Sequence, residues 1–229
     1  MAMIKAVFFD WIGTLARPEP DRHQLFAQVA AELGISLSPP QLIKGIHMAE
    51  SQVPAGAPPR WREGKDEAPF IRWWEVLSAE AGIQMSREAM LEITKRASHQ
   101  AKSARWVLYD DTLPALKALK RRRLVLGLIS NIIIGGAGAG LESCLDFVVT
   151  SKEVGANKPE PPIFLAALER AGVSAPEAVY VGDQYQTDVL GARGVGIRPV
   201  LIDRFDLESE VSDCPRIHSL VELPGYLQG

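Results

Sequence analysis

Four short stretches of this sequence carry side chains suited to chemistry on an anion. Asp10 follows the apolar run Ala6-Val7-Phe8-Phe9 and precedes Gly13 and Thr14. Ser130 and Asn131 follow the apolar run that begins at Leu124, and Lys158 stands before Pro159. Asp183 closes the run from Ala178 to Gly182, with Asp188 in the loop beyond. A carboxylate such as Asp10 can attack as a nucleophile and form a covalent intermediate. Asp10 and Asp183 together offer hard oxygens to Mg²⁺, which takes one or two carboxylates and keeps several waters. Thr14, Ser130 and Lys158 supply hydrogen bonds and positive charge to an anionic group. The set suits metal-assisted attack of Asp10 on an oxyanion. Taken alone, Asp10 reads equally well as a strand-end residue that caps a turn.

These groups converge only if the elements before them lie side by side. Ala6 to Phe9, Leu124 to Ile129, Phe147 to Thr150, Ala178 to Gly182 and Pro199 to Ile202 are short apolar runs, the pattern of strands buried on both faces. A last short strand is expected around Ile217. Helices are expected over Thr112 to Arg122, Pro161 to Ala171 and Thr187 to Arg193, so from Trp106 onward strands alternate with helices. That order predicts an α/β fold, a doubly wound, Rossmann-like parallel sheet. Parallel strands put their carboxyl ends on one edge of a sheet, where such folds bind ligands. Residues 17–105 read differently. Arg17 to Asp21 holds two prolines and predicts a linker. Helical spacing follows in Leu25, Phe26, Val29, Ala30 and Leu33, then in Leu42, Ile43, Ile46 and Met48. A loop over residues 53–69 precedes a helix from about Phe70 to Ala81. Ser86 is placed to cap a fourth helix, with Met90, Leu91 and Ile93 on its inner face. The expectation is a core of residues 1–16 and 106–229 interrupted by a helical insert over 17–105.

The 229 residues are 47% hydrophobic, enough for a sizeable core, and carry a net charge of −3. No basic face favours nucleic acid, and no charge excess favours an anionic membrane. Two cysteines, Cys144 and Cys214, make no disulfide framework and point to a reducing, cytoplasmic setting. No run of 18 apolar residues predicts a membrane span. The glycines at 135, 136, 138 and 140 lack the spacing of a dinucleotide loop, and no acidic residue follows at the right distance. Lys120 to Arg123 read as a solvated helix end whose cations suit the dipole. The expected partner is a small anionic molecule, and the expected assembly a monomer or homodimer.

The pieces Phe9-Asp10-Trp11-Ile12-Gly13-Thr14-Leu15, Leu128-Ile129-Ser130-Asn131, Lys158-Pro159 and Val181-Gly182-Asp183-Gln184-Tyr185-Gln186-Thr187-Asp188 resemble the four motifs of the haloacid dehalogenase-like hydrolases, in the family's order. The resemblance implies a hydrolase with Asp10 as nucleophile, and with Thr14, Ser130 and Asn131 beside the substrate's oxygens. It further implies Lys158 as the cation that steadies them. Mg²⁺ would sit on Asp10, Asp183, Asp188 and the backbone carbonyl of Ile12. The insert resembles, in placement and length, the family's helical cap.

One position departs from the family's phosphatases. They carry a second Asp two residues after the nucleophile, which protonates the leaving oxygen and then activates water. This chain has Ile12 there. General acid–base help is typically worth ~10²–10⁴ in rate. Four outcomes stay open: a leaving group that needs no proton, as in the family's dehalogenases; a proton from another residue; a slow phosphatase on activated esters; or a binding protein that has lost catalysis. Gly182-Asp183 and Asp188 keep the metal-binding form and favour phosphorus chemistry. The Phe-Asp-Trp-x-Gly-Thr run also resembles phosphonoacetaldehyde hydrolase, which forms a Schiff base on a cap lysine. Lys44, one turn before His47, is the candidate for that lysine, against the simpler reading of a solvated helix lysine. That enzyme has an Arg where Lys158 stands. Trp73 and Trp74 read as packing within the insert, and Arg60, Arg62 and Lys65 as a solvated loop.

Overall fold

The apolar run before Asp10 forms strand β1 (Ala6–Phe9), and none of its four side chains reaches solvent. A computed structural model of the chain describes residues 2–52, 68–132, 141 and 143–227. The glycines at 135–140, Ile133 and Ile134, and Arg60, Arg62 and Lys65 lie outside the described residues. The chain divides into two compact units, Met1–Arg17 with Trp106–Gly229, and Pro18–Arg105.

In the first unit β1 sits at the centre of a six-stranded parallel sheet. Beside it are β4 (Val125–Ser130) and then β5 (Phe147–Thr150) on one side. On the other lie β6 (Ala178–Gly182), β7 (Arg198–Ile202) and β8 (Arg216–Ile217), giving the order β5-β4-β1-β6-β7-β8. The chain builds outward from β1 in one direction, then returns and builds in the other. The reversal falls between β1 and β6, which is where open α/β sheets bind ligands. The register aligns Phe9 with Leu128 and with Val181, so the residues that follow these strands emerge together.

Alternate side chains of β1 enter two different cores, as the period of a strand requires. Val7 and Phe9 pack with Leu126, Leu128 and Val181 under Ala115, Leu116 and Leu119 of helix α5 (Thr112–Arg121). Ala6 and Phe8 pack with Ile129 and Tyr180 under Ile163, Phe164 and Ala167 of helix α7 (Pro161–Ala171). Burying Phe8 and Phe9 contributes ~1.5–3 kcal/mol each. With helices on both faces, the fold is the doubly wound α/β sheet that the alternation predicts. Helices α6 (Ser151–Val154) and α8 (Leu190–Gly194) complete the connections, and α9 (Leu223–Tyr226) follows the last strand.

The second unit holds α1 (Arg22–Glu32), α2 (Pro39–Gln52), α3 (Ala68–Ala81) and α4 (Arg87–Gln100). Asp21 starts α1 with a capping box to Gln24, and the Ser86 hydroxyl accepts from the Ala89 amide to start α4. Their core gathers Leu25, Phe26, Val29, Leu42, Leu77, Ile93 and both Trp73 and Trp74. The Trp74 indole donates to Thr94 Oγ1 at 2.6 Å, which satisfies a buried donor.

Three details differ from the sequence pattern. Residues 17–19 do not form a linker but continue strand β2 (Ala16–Glu19), which pairs with β3 (Arg105–Leu108). Both strands of a two-stranded ribbon are edges, and an edge can spare the amide that Pro18 lacks. The pattern near Trp106 marked only a change of character where β3 runs. The helix expected over Thr187 to Arg193 is two pieces, a π-turn over Tyr185–Val189 followed by α8. Lys120 is also more than a solvated helix end, since its Nζ meets Asp146 Oδ1 at 2.5 Å.

Candidate active site

Asp10 leaves β1 with its amide donating to Val181 O at 2.9 Å, which levels it with the end of β6. The chain then turns tightly. Leu15 and Ala16 amides both donate to Trp11 O, and the Gly13 amide donates to Ala16 O. Gly13 takes φ +77°, a left-handed conformation that costs glycine nothing. A Cβ at Gly13 would collide with the Asp183 carboxylate, so the bare backbone lets β1's turn lie against the end of β6.

The π-turn has a similar purpose for Asp188. It folds this side chain back over Gly182, where any Cβ would meet the Asp188 carboxyl group. Asp188 Oδ2 accepts from the Gln184 amide at 3.0 Å, which fixes the turn from within. Single-turn π segments are frequent at functional sites because they re-aim one side chain.

Lys158 joins these carboxylates. Its side chain is 4% exposed, and its Nζ donates to Asp10 Oδ1, to Asp188 Oδ1 at 2.7 Å and to Tyr180 Oη at 2.9 Å. Tyr180 in turn donates to Asp188 Oδ1 at 2.9 Å. Asn131 holds the lysine's main chain at both ends of its amide. Its Oδ1 accepts from the Lys158 amide at 2.7 Å, and its Nδ2 donates to Lys158 O at 3.1 Å. Ser130 is buried at the end of β4, where its Oγ accepts from the Ile132 amide at 3.2 Å. Thr14 is fully buried, and its Oγ1 has no hydrogen-bond partner among the described residues.

The first unit thus brings Asp10, Lys158, Asp183 and Asp188 together, with Ile12, Thr14, Ser130 and Asn131 on the same strand ends. Oxygens of Asp10, Asp183 and Asp188 lie within 4.8 Å of one another. Three carboxylates face one ammonium. Burial raises Asp10 to about 6, against the pull of Lys158 and with the help of Asp188. Burial, then Asp10 and Asp188, push Asp183 well above the usual carboxylate range. Burial opposes the charge of Lys158, but Asp10 and Asp188 outweigh it and raise this group above its ordinary value. Asp183 Oδ1 is buried without a partner among the described residues. An uncompensated buried carboxylate is costly unless a cation joins it. The donor set, all hard oxygen, fits a divalent ion such as Mg²⁺.

Tyr180 was not legible as a site residue. Its only signal is a hydroxylated ring in the otherwise aliphatic, fully buried run Ala178-Val179-Tyr180-Val181-Gly182. Lys44, in the second unit, lies 4.0 Å from Glu80 with a side chain 57% exposed, as a solvated helix lysine would.

Comparison with known proteins agrees with the geometry. A model of the haloacid dehalogenase-like hydrolases matches residues 4–196. The zebrafish (Danio rerio) haloacid dehalogenase-like hydrolase domain-containing protein 3 is 31% identical, over 98% of this chain and 97% of the relative. A glyceraldehyde 3-phosphate phosphatase of Methanothermobacter thermautotrophicus is 34% identical, over 94% of this chain and 91% of its own. In fold, the chain resembles a solved HAD family hydrolase from Deinococcus radiodurans, with TM-score 0.69, 18% identity, and coverage of 99% and 96%. The strand-end carboxylates, the buried lysine and the match over most of the length agree: this chain belongs to the haloacid dehalogenase-like hydrolases and is a hydrolase.

Proposed function

We propose that this hydrolase is a Mg²⁺-dependent phosphatase of small organic phosphate monoesters, working through an aspartyl phosphate on Asp10. The observation that carries the reading is the charge balance of the site, three clustered carboxylates against the single ammonium of Lys158. That balance favours a divalent metal, whose open positions would take a substrate's anionic oxygens. The 34% identical relative named as a glyceraldehyde 3-phosphate phosphatase supports the same substrate class.

In this reading an Asp10 carboxylate oxygen attacks phosphorus, the ester P–O bond breaks, and the alkoxide leaves. Water then attacks the phosphorus of the acyl phosphate and returns Asp10 as a carboxylate. Lys158 orients Asp10 and steadies negative charge on the phosphoryl oxygens. Thr14 and Ser130 hydroxyls donate to those oxygens, and Asn131 acts on the same charge through Lys158, whose main chain it holds. Mg²⁺, when bound by Asp10, Asp183, Asp188 and the Ile12 carbonyl, would offset phosphate charge. Ile12 gives no proton, so the leaving oxygen takes one from water and activated esters react fastest. The helical unit is the candidate cap and would carry the residues that choose the substrate.

Ile12 also favours a second reading, a dehalogenase, because a departing halide needs no proton. A panel of phosphate monoesters and 2-haloacids, each with Mg²⁺ and with chelator, separates the two. Turnover of esters only with metal, lost in Asp10→Asn, is the expected result. Metal-independent turnover of 2-haloacids would replace the phosphatase with the dehalogenase.

A further inference from the structure

Arg204 lies beyond residue 196, where the family match ends, yet it reaches back to the turn after Asp10. Its guanidinium makes four hydrogen bonds. Nε donates to Gly13 O at 3.1 Å and Nη2 to Thr14 O at 2.7 Å. Nη1 and Nη2 grip the two oxygens of Asp111 at 2.9 and 3.0 Å. The group also stacks on Tyr109, 3.8 Å from the ring centre. Its side chain is 12% exposed.

Asp111 is anchored in its own right. Its Oδ2 accepts from Ser219 Oγ at 2.7 Å and from the Leu220 amide at 2.8 Å. Burial works against the charge of Asp111, but these donors and Arg204 outweigh it and hold the carboxyl below its usual range. Nearby, Thr112 Oγ1 donates to Leu15 O at 2.7 Å. The carbonyls of three successive residues, Gly13, Thr14 and Leu15, are therefore held by the segments at 111–112 and 204.

We infer that Arg204 is a positioning residue for the reaction: forked between Asp111 and the Gly13 and Thr14 carbonyls, it sets where the turn carries the Thr14 hydroxyl and the Ile12 carbonyl relative to Asp10. The inference rests on the roles given above to those two groups. A planar fork can satisfy a carboxylate and two carbonyls at once, whereas an ammonium of the same charge cannot reproduce that geometry. Substitution by Lys is therefore not conservative at this position. Leu15 O is held separately, by the Thr112 hydroxyl and by the Tyr109 amide at 3.1 Å, whereas among the described residues the carbonyls of Gly13 and Thr14 accept from Arg204.

The test compares wild type with Arg204→Ala, Arg204→Lys and Asp111→Asn. Arg170→Ala serves as a destabilised control, because Arg170 pairs with Val148 O and Glu153 at the sheet edge. Amide hydrogen exchange is followed at Gly13, Leu15 and Ala16, and kcat and KM are measured on the phosphate ester that wild type turns over. Both Arg204 variants are expected to exchange these amides faster. They should lose ~10–100-fold in kcat with KM little changed, the scale of an ångström-level misplacement. Asp111→Asn should do the same more weakly, and Arg170→Ala should lower the Tm alone. Unchanged exchange at the three amides in Arg204→Lys, or full kcat per folded molecule, would overturn the inference. Arg204→Lys keeps charge and stem, so it carries the test if Arg204→Ala does not fold. If wild type turns over no phosphate ester, the phosphatase reading falls, and the exchange measurement decides the role of Arg204 by itself.

Discussion

Lys158 Nζ lies 2.7 Å from Asp188 Oδ1, with both side chains almost wholly removed from solvent. The same nitrogen donates to Asp10 and to Tyr180, so all three ammonium protons are engaged within the protein. One cation thus holds Asp10, the proposed nucleophile, ties down the π-turn and offsets part of the charge of three acids.

Lys158→Met tests that dependence. It leaves the buried Asp10 and Asp188, with the half-buried Asp183 beside them, without their cation, a loss of ~3–5 kcal/mol on the scale of a broken buried ion pair. Urea unfolding without metal, near neutral pH, should show a loss of that order, and ester turnover should vanish. A variant as stable as wild type would mean that the carboxylates do not need the lysine.

The effect of Mg²⁺ on stability should depend on pH. Burial raises Asp10 to about 6 from an ordinary 3.8, and Asp183 shifts the same way. A carboxyl group whose folded value is raised contributes stability that is present below its unfolded value and lost as pH rises through the folded one. The metal-free protein therefore loses stability through these groups from about pH 4 to beyond pH 6. Mg²⁺ needs the ionised forms, so the rise in Tm on adding it should be larger near pH 8 than near pH 5. Equal shifts at both pH values would show that the ion binds elsewhere.

Restoring an acid at position 12 probes the missing proton carrier. Wild type should hydrolyse aryl phosphates far faster than alkyl phosphates, because the leaving oxygen departs unprotonated. Ile12→Asp should raise the alkyl rate, by up to ~10²–10⁴, and flatten the dependence on leaving-group pKa. A steep, unchanged dependence in the variant would show that position 12 does not face the leaving group.

Gly13→Ala should disable the proposed metal site without replacing a ligand. The residue would be strained at φ +77°, and its Cβ would push the Asp183 carboxylate away. A loss of ~1–3 kcal/mol is expected from the backbone alone. Calorimetric titration with Mg²⁺ should show binding weakened well beyond that of a surface substitution. Wild-type affinity in the variant would mean that Asp183 is not a ligand.

The alternation of strands and helices after Trp106, the two-faced burial of the sheet and the polar residues at three strand ends were legible before any coordinates; the order of the strands within the sheet was not. A strand covered on both faces must be a continuous apolar run, and such a run has to stop where the chain meets solvent or a site. Asp10, Ser130 and Asp183 mark those stops. Ser86 and the helical spacing around Leu25 and Leu42 were legible for the same local reason, since capping and periodicity act within a few residues. Pro18 in β2 misled, because the cost of a proline depends on whether its strand is an edge, and pairing partners lie far along the chain. Asn131 was legible as a candidate site residue, but its grip on Lys158, like the contacts of Tyr180 and Arg204, was decided by tertiary structure alone. Asn131 meets Lys158 across 27 residues, and Arg204 meets Gly13 across 191. A hydrogen bond over such a separation leaves no period or motif in the sequence; it exists only once the sheet has brought its strand ends together.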